Sequence, residues 1–409
     1  MTKRPEHCLT MPFANTNGML EINGHSLDTV VDLVGQTPFY AYDKNIMARQ
    51  VDTFRQHFPD ISLHYAMKAN PMPDVVNYMS TLVDGLDIAS GGEMKVALAS
   101  SIEADEISFA GPGKSRAELA QAIEAGVTLN IESEFELEQI VSIAQQGSRE
   151  PRVAIRVNPD FELKASGMKM AGGPKPFGID AERVPTLLEK MKTLPIHFRG
   201  FHIFSGSQNL KPEALIEAHQ KTFELALELS KHAPSPVELL NIGGGFGIPY
   251  FPGESELDLK SVADNMNKLL PNVKKQLPKA EVVIELGRFL VGPAGAYICA
   301  VTDIKESRGK TYVIANGGLH HHLAASGNFG QIIRKNYPVA IANKMASDPT
   351  QEVSIVGPLC TPLDILADNM SLPSIERGDL VAVFQSGAYG FSASPHGFLS
   401  QPMVKEILL

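Results

Sequence analysis

The sequence predicts an α/β fold: a closed parallel (β/α)8 TIM barrel joined to a β-rich domain. Three observations predict it. Strand-like and helix-like segments alternate through about 240 residues, the rhythm of a parallel sheet with crossover helices. The strand-like runs are short and apolar, as expected where helices cover both faces of a sheet. Beyond about residue 291 the alternation gives way to strands with few helices between them. The 409 residues also exceed what one ordinary small core accommodates.

Taken in order, the first 40 or so residues are turn-rich, and 38–42 reads as a short strand. Ile46, Val51, Phe54 and Phe58 then fall near helical spacing, and Pro59 closes the helix. The pattern repeats as strand 61–67 and helix 73–82, strand 85–89 and helix 92–99, strand 107–110 and helix 115–125. Strand 129–131, helix 133–145 and strand 152–157 follow. An irregular stretch over 158–177, rich in Gly, Pro and Lys, interrupts. Helix 181–191, strand 198–204, helix 212–232, strand 238–242, helix 259–276 and strand 282–286 complete the alternation. Roughly eight such units favour a closed barrel over an open doubly wound sheet. Strands are expected at 297–304, 311–315, 352–356 and 380–384 in the remainder.

The net charge is −10 and no basic run stands out, which argues against a nucleic-acid surface. No apolar run reaches the length of a membrane span, and the N-terminal residues around Lys3, Arg4 and Glu6 lack the apolar stretch of a signal peptide. Cys8, Cys299 and Cys360 are too few and too scattered for a disulfide framework. A cytoplasmic protein with reduced thiols is expected.

In a parallel barrel, functional groups gather at the C-terminal ends of the strands. Those ends carry Lys68, Asp87, Arg156, His202, the turn Gly243-Gly244-Gly245, and Glu285 with Gly287-Arg288. An amine at Lys68, inside the barrel mouth, is placed to attack an aldehyde; a snorkelling surface lysine is the plainer reading. The glycine turn can close backbone N–H groups around a phosphate, or be a simple βα turn. Glu285 can hydrogen-bond a protonated pyridine nitrogen, or pair with Arg288. His202 can stack on an aromatic cofactor, with Ser205 and Ser207 adding contacts, or be structural. His320-His321-His322 suggests a metal, but consecutive side chains point different ways and no regular ligand spacing accompanies them, so no metal is expected.

Jointly, these pieces resemble the alanine-racemase-like, fold type III decarboxylases that use pyridoxal 5′-phosphate, the group of the diaminopimelate, ornithine and arginine decarboxylases. The resemblance runs from about Thr37 to Phe398 and rests on an ordered series: Tyr65-Ala66-Met67-Lys68-Ala69-Asn70, Asp87 through Ser90-Gly91-Gly92-Glu93, and His202 with Ser205-Gly206-Ser207. Gly243 to Gly247, Glu285 to Arg288, Gly357 to Cys360 and Gly387 to Tyr389 complete it. The resemblance implies a pyridoxal-phosphate-binding barrel over 44–290 and a β-domain built from 1–43 and 291–409. It implies a homodimer with shared active sites. Lys68 would hold the cofactor covalently, His202 would stack on its ring, and Glu285 would pair with its ring nitrogen. Ser205, Gly245, Arg288 and Tyr389 would serve phosphate or substrate, and Asp87 and Arg156 would support lysine and ring. Cys360 of the partner subunit would return a proton after carbon dioxide leaves.

Two departures bear on substrate. Diamine-forming members of the family carry an acidic residue after the cysteine, where this chain has Thr361, and a neutral hydroxyl cannot balance a buried ammonium. Asn316-Gly317-Gly318 replaces the family's Asp-containing turn. The run from Gly317 through His320-His321-His322 to Asn328 is similar to an exosortase-associated and secondary-metabolite subgroup, some of whose members act on carrier-tethered or conjugated amino acids. Arg334 and Tyr337 are candidates for a second carboxylate. The expected activity is therefore decarboxylation of an amino acid, free, conjugated or bound to an acyl carrier protein. The alternatives are an amino-acid racemase on the same fold and a non-enzymatic regulator.

Overall fold

The computed structural model describes residue 7, residues 12–147 and 149–161, the backbone of 168–169, and residues 172–409. Cys8 lies outside the described residues. The chain divides into two compact units, one of Val51–Ile248 and Leu257–Gly287, the other of Met1–Gln50, Pro249–Glu256 and Arg288–Leu409.

The first unit is a closed eight-stranded parallel barrel. Its strands, numbered along the chain, are β1 (Ser62–Ala66), β2 (Gly85–Ile88), β3 (Ile107–Phe109), β4 (Thr128–Ile131), β5 (Arg152–Asn158), β6 (His197–Ile203), β7 (Leu239–Gly244) and β8 (Glu281–Leu286). Each pairs in parallel with the next, and β8 returns to β1 through Glu285 opposite His64. These strands are buried along almost their whole length, which is why they lack the alternation of a half-exposed sheet.

Three of the helices that follow strands begin with the same device. Ser90, Ser115 and Ser133 each accept a hydrogen bond from the backbone N–H of a glutamate three residues on, Glu93, Glu118 and Glu136. At Ser115 the glutamate side chain reciprocates, completing a capping box. These caps end the βα loops sharply and so fix the rim of the barrel.

The second unit is a β-rich sheet drawn from both ends of the chain. Its centre is the long strand Gly295–Ser307, which pairs with Leu380–Val383, Phe39–Tyr42 and Lys310–Ala315. Phe39–Tyr42 pairs on its other side with the C-terminal strand Lys405–Leu408. Gln351–Val356 and Ile365–Leu372 extend the sheet at one end, and Val339–Ile341 at the other. The turn-rich reading of the first 40 residues is corrected by a helix, Leu27–Val34, capped by Ser26 and ended by Gly35 at φ +74°. The segment Pro249–Glu256 groups with this unit, inside the span 44–290 expected for the barrel. Tyr250 anchors it, receiving a hydrogen bond from Arg288 and packing 4.7 Å from the Tyr337 ring.

Candidate active site

Register brings the barrel residues together. Arg156 on β5 is the cross-strand partner of His202 on β6, which is the partner of Asn241 on β7. Residues opposite one another in a ladder project to the same face at the same height. Glu285 on β8 sits opposite His64 on one side and Gly244 on the other. A cavity of about 300 Å³ opens at these strand ends, lined in part by Lys68, Asp87, Arg156, His202 and Glu285.

Lys68 follows β1 on the short 3-10 turn Met67–Ala69. Its neighbours Met67 and Ala69 are buried, but Lys68 itself is exposed at the cavity mouth, so the expected burial of this amine is not met in the chain alone. Its Nζ stands 5.4 Å from the centre of the Phe204 ring.

Behind it lies a buried charged group. His202 Nε2 is 3.2 Å from Glu285 Oε2, and Asn241 Nδ2 donates to the same oxygen at 3.1 Å. Burial pushes the Glu285 carboxyl up, but His202, Lys68 and Arg156 outweigh it and hold the group well below the usual carboxylate range. His64 Nδ1 is 3.5 Å from Asp87 Oδ2. Burial and the negative charge of Glu285 raise the Asp87 carboxyl, with His64 and His202 opposing. Burial lowers the His64 imidazole, but Asp87 more than reverses this and raises it. Both nitrogens of His202 and both oxygens of Asp87 are buried without a well-aligned hydrogen bond among the described residues. Arg156 donates to Glu132 Oε1 at 2.8 Å, with its guanidinium carbon 5.1 Å from the Phe177 ring centre.

The glycine turn after β7 is built for close approach. Gly243 and Gly245 have φ of +69° and +81°. A Cβ on Gly244 would lie 2.0 Å from the Glu285 carbonyl oxygen, and one on Gly245 2.4 Å from that of Gly206. The turn is laced to the 206–209 loop: Asn209 N–H donates to Gly245 O, Gly247 N–H donates to Asn209 O, and Gln208 exchanges two bonds with the Ile248 backbone. Asn241 Oδ1 accepts from Gly243 N–H at 2.8 Å, so one side chain ties the turn to Glu285. Ser205 is buried beside this loop, and Gly287 packs against Ala66 and Ala69, leaving no room for a Cβ.

The remaining expected residues belong to the β-rich unit. Arg288 donates to the Tyr250 hydroxyl at 2.8 Å and lies over the Tyr389 ring at 4.6 Å. Tyr389 adopts φ +55°. Tyr337 is buried beside Tyr250. Arg334 is spoken for within its own unit: it donates to Ser326 O, Asn336 Oδ1 and Ile365 O. Cys360 is an exposed free thiol, and Thr361 is half-buried, on the loop joining two strands. Buried Asp364 braces that loop, accepting from Leu359 N–H at 2.8 Å and Leu319 N–H at 2.6 Å. The three adjacent histidines are packed: His322 bonds Ser386 Oγ, and His321 bonds Pro402 O and the Tyr297 hydroxyl. Among the described residues, no group of three or more His, Cys, Asp or Glu is placed to hold a metal ion. No helix among them is long and apolar enough to cross a membrane.

Comparison with known proteins matches this geometry. The profile of the family described as pyridoxal-dependent decarboxylase, pyridoxal binding domain, matches residues 44–292. The chain belongs to that family. It is a pyridoxal-phosphate-dependent decarboxylase acting on an amino acid or an amino-acid conjugate. It is 35% identical to the L-glutamyl BtrI acyl-carrier-protein decarboxylase of Niallia circulans, over 91% of this chain and 89% of that one. It is 33% identical to the diaminopimelate decarboxylase of Aquifex aeolicus, over 96% and 91%. The crystal structure of diaminopimelate decarboxylase from M. jannaschii in co-complex with L-lysine superposes with a TM-score of 0.88 at 25% identity, over 97% and 92%.

The residues present fit the cofactor. The cavity offers an amine for an aldehyde, a carboxylate held anionic for a ring nitrogen, and a buried imidazole that pairs with that carboxylate. The glycine turn beside them has the bare backbone a phosphate needs.

Four residues that sequence reasoning missed matter to this arrangement: His64, Glu132, Asn241 and Asp364. Asn241 had a signal, a lone amide between Leu240 and Ile242 in an apolar strand. The other three are recognisable only from their partners.

Proposed function

We propose that the enzyme removes the α-carboxylate of an amino acid presented on a larger acyl group, a carrier-protein thioester or a conjugate. The observation that carries the catalytic part is the convergence of Lys68, His202 and Glu285 on one barrel-mouth cavity. Lys68 Nζ would hold the cofactor through its aldehyde carbon. Glu285 holds a proton at the ring nitrogen, and its depressed proton affinity keeps it anionic for that task. His202 would stack on the cofactor ring, and Asp87 and Arg156 would support the lysine and ring positions. Gly243, Gly244, Gly245 and Ser205 would receive the phosphate. Pyridoxal phosphate, when bound, would supply the electron sink that loss of a carboxylate needs. Cys360 of the partner subunit delivers a proton to the substrate α-carbon in a homodimer with shared sites. Free thiols at Cys299 and Cys360 suit a cytoplasmic setting.

Two observations support a tethered substrate over a free diamino or diacid one. Thr361 offers no charge to a distal ammonium. Arg334, the expected reader of a second carboxylate, has three acceptors of its own. The likeness to a decarboxylase of an L-glutamyl carrier protein points the same way. The test is carbon dioxide release from a panel of free amino acids, aminoacyl carrier proteins and N-acyl or amide conjugates. Turnover of tethered or conjugated members, with diaminopimelate, lysine and ornithine inert, is expected. Efficient turnover of free diaminopimelate would overturn the proposal.

A further inference from the structure

One wall of the cavity is made of Ala110, Gly111, Pro112, Arg156 and Phe177. These residues come from the β3 and β5 ends and from the loop before Gly178. A single buried side chain outside the cavity joins them. Glu132, one residue past β4, accepts from Arg156 Nη1 at 2.8 Å and from Gly111 N–H at 2.5 Å through Oε1. Its Oε2 accepts from Gly178 N–H at 3.0 Å. Gly178 adjoins Phe177 and has φ +74°, and a Cβ there would come 2.9 Å from Arg156 O, so this backbone can approach only as glycine.

A second ion pair braces the hub from behind. Glu132 N–H donates to Glu136 Oε2 at 2.8 Å. Glu136 Oε1 accepts from Lys114 Nζ at 2.5 Å, and Lys114 also donates to Gly111 O and Asn130 O at 2.8 Å each. The Lys114 side chain is 1% exposed, and all three of its N–H donors are used. Two cations and two carboxylates thus form a neutral buried set that fixes the ends of β3, β4 and β5 and the loop at Phe177. A desolvated arginine facing a ligand cavity needs such a partner, both to balance its charge and to fix its direction.

We propose that Glu132 is a positioning residue for this enzyme: it aims Arg156 into the cofactor cavity and locks the Gly111 and Phe177 wall around it, with Lys114 and Glu136 holding Glu132 in place. The proposal rests on reading the cavity as the pyridoxal-phosphate site. Glutamine at 132 keeps the shape but loses the charge, and its amide nitrogen confronts at least one of the three N–H donors the carboxylate now satisfies. In either amide orientation Arg156 loses its anionic partner and is held less firmly.

The test uses Glu132→Gln, Glu132→Asp, Arg156→Gln and the Glu132→Gln/Arg156→Gln pair, each purified and reloaded with pyridoxal phosphate. The dissociation constant of the cofactor is read by fluorescence, and the absorbance of the bound cofactor is titrated with pH. Glu132→Gln is expected to weaken cofactor binding about tenfold to hundredfold, the scale seen when the partner behind a ligating side chain is removed. It is also expected to displace the absorbance titration, and the double variant should be no worse than Arg156→Gln alone. Glu132→Asp keeps the charge and serves where glutamine does not fold; it is expected to shift binding in the same direction by less. Wild-type binding and titration in the folded variants, or effects of 132 and 156 that simply add, would overturn the proposal. A wild-type protein that binds no pyridoxal phosphate would instead refute the site itself.

Discussion

Glu285 and His202 meet inside the barrel, with 3.2 Å between Oε2 and Nε2 and both side chains buried. Their strands are not neighbours: β7 lies between them and contributes Asn241, which donates to the same carboxylate oxygen. An anion so placed at a strand end is suited to face a protonated ring nitrogen. Glu285→Gln keeps the shape and loses the charge. It is expected to retain bound cofactor while kcat falls about a hundredfold or more, the scale of deleting one preorganised electrostatic contact. Steady-state kinetics alongside cofactor content check this; near-normal kcat would refute the role.

The glycine turn gives a second prediction. Gly245 combines φ +81° with a Cβ position 2.4 Å from Gly206 O. Gly245→Ala must shift the 206–209 loop that the turn is bonded to, at a cost of about 1–3 kcal/mol. Thermal melts should show a lowered Tm, and equilibrium dialysis should show weakened pyridoxal phosphate binding. Alanine accepted without either change would mean the turn is looser than described.

Acid sensitivity follows from buried neutral histidines. Burial lowers His219 to about 4 and His322 to about 3. Both take up protons on unfolding, so the unfolded chain binds more protons and stability rises with pH. The contribution is complete above the unfolded value near 6.5 and is lost as pH falls toward those folded values. Each site costs up to about 1.4 kcal/mol per pH unit across that window. Urea melts between pH 7 and 4.5 should show the loss, and His219→Leu should flatten it. An unchanged slope in that variant would contradict the assignment.

The proposed shared site predicts complementation. Lys68→Ala and Cys360→Ala chains, each inactive alone, should regain activity when mixed under conditions of subunit exchange. The expected ceiling is about a quarter of the wild-type rate, because half the dimers are mixed and each carries one intact site. No recovery from exchanging dimers would refute the donation of Cys360 across the interface.

The barrel was legible because its signals are local: apolar strands, helical spacing and turn residues recur within short windows. Lys68, His202, the glycine turn and Glu285 stand at strand ends, but position alone leaves a plainer reading for each, and their expected roles come from the ordered family motifs. The missed residues depend on register between strands far apart in the chain. His64 matters because it falls opposite Glu285, and Glu132 because β4, β5 and the 178 turn meet at its carboxylate. In the β-rich unit, Lys405–Leu408 and Ile365–Leu372 escaped notice for the same reason; the first pairs with a strand some 360 residues earlier, and neither has a strongly alternating apolar pattern. Arg334 shows how type and position each speak to only part of a role. Its type suggested a carboxylate ligand, whereas its position gives it three acceptors from its own unit.

The most direct measurement is to load the purified enzyme with pyridoxal phosphate, reduce it with borohydride, digest it and locate the modified lysine by mass. The adduct is predicted on Lys68, at the mouth of the cavity that contains Glu285. A pyridoxyl group on another lysine, or none at all in a coloured enzyme, would contradict the account.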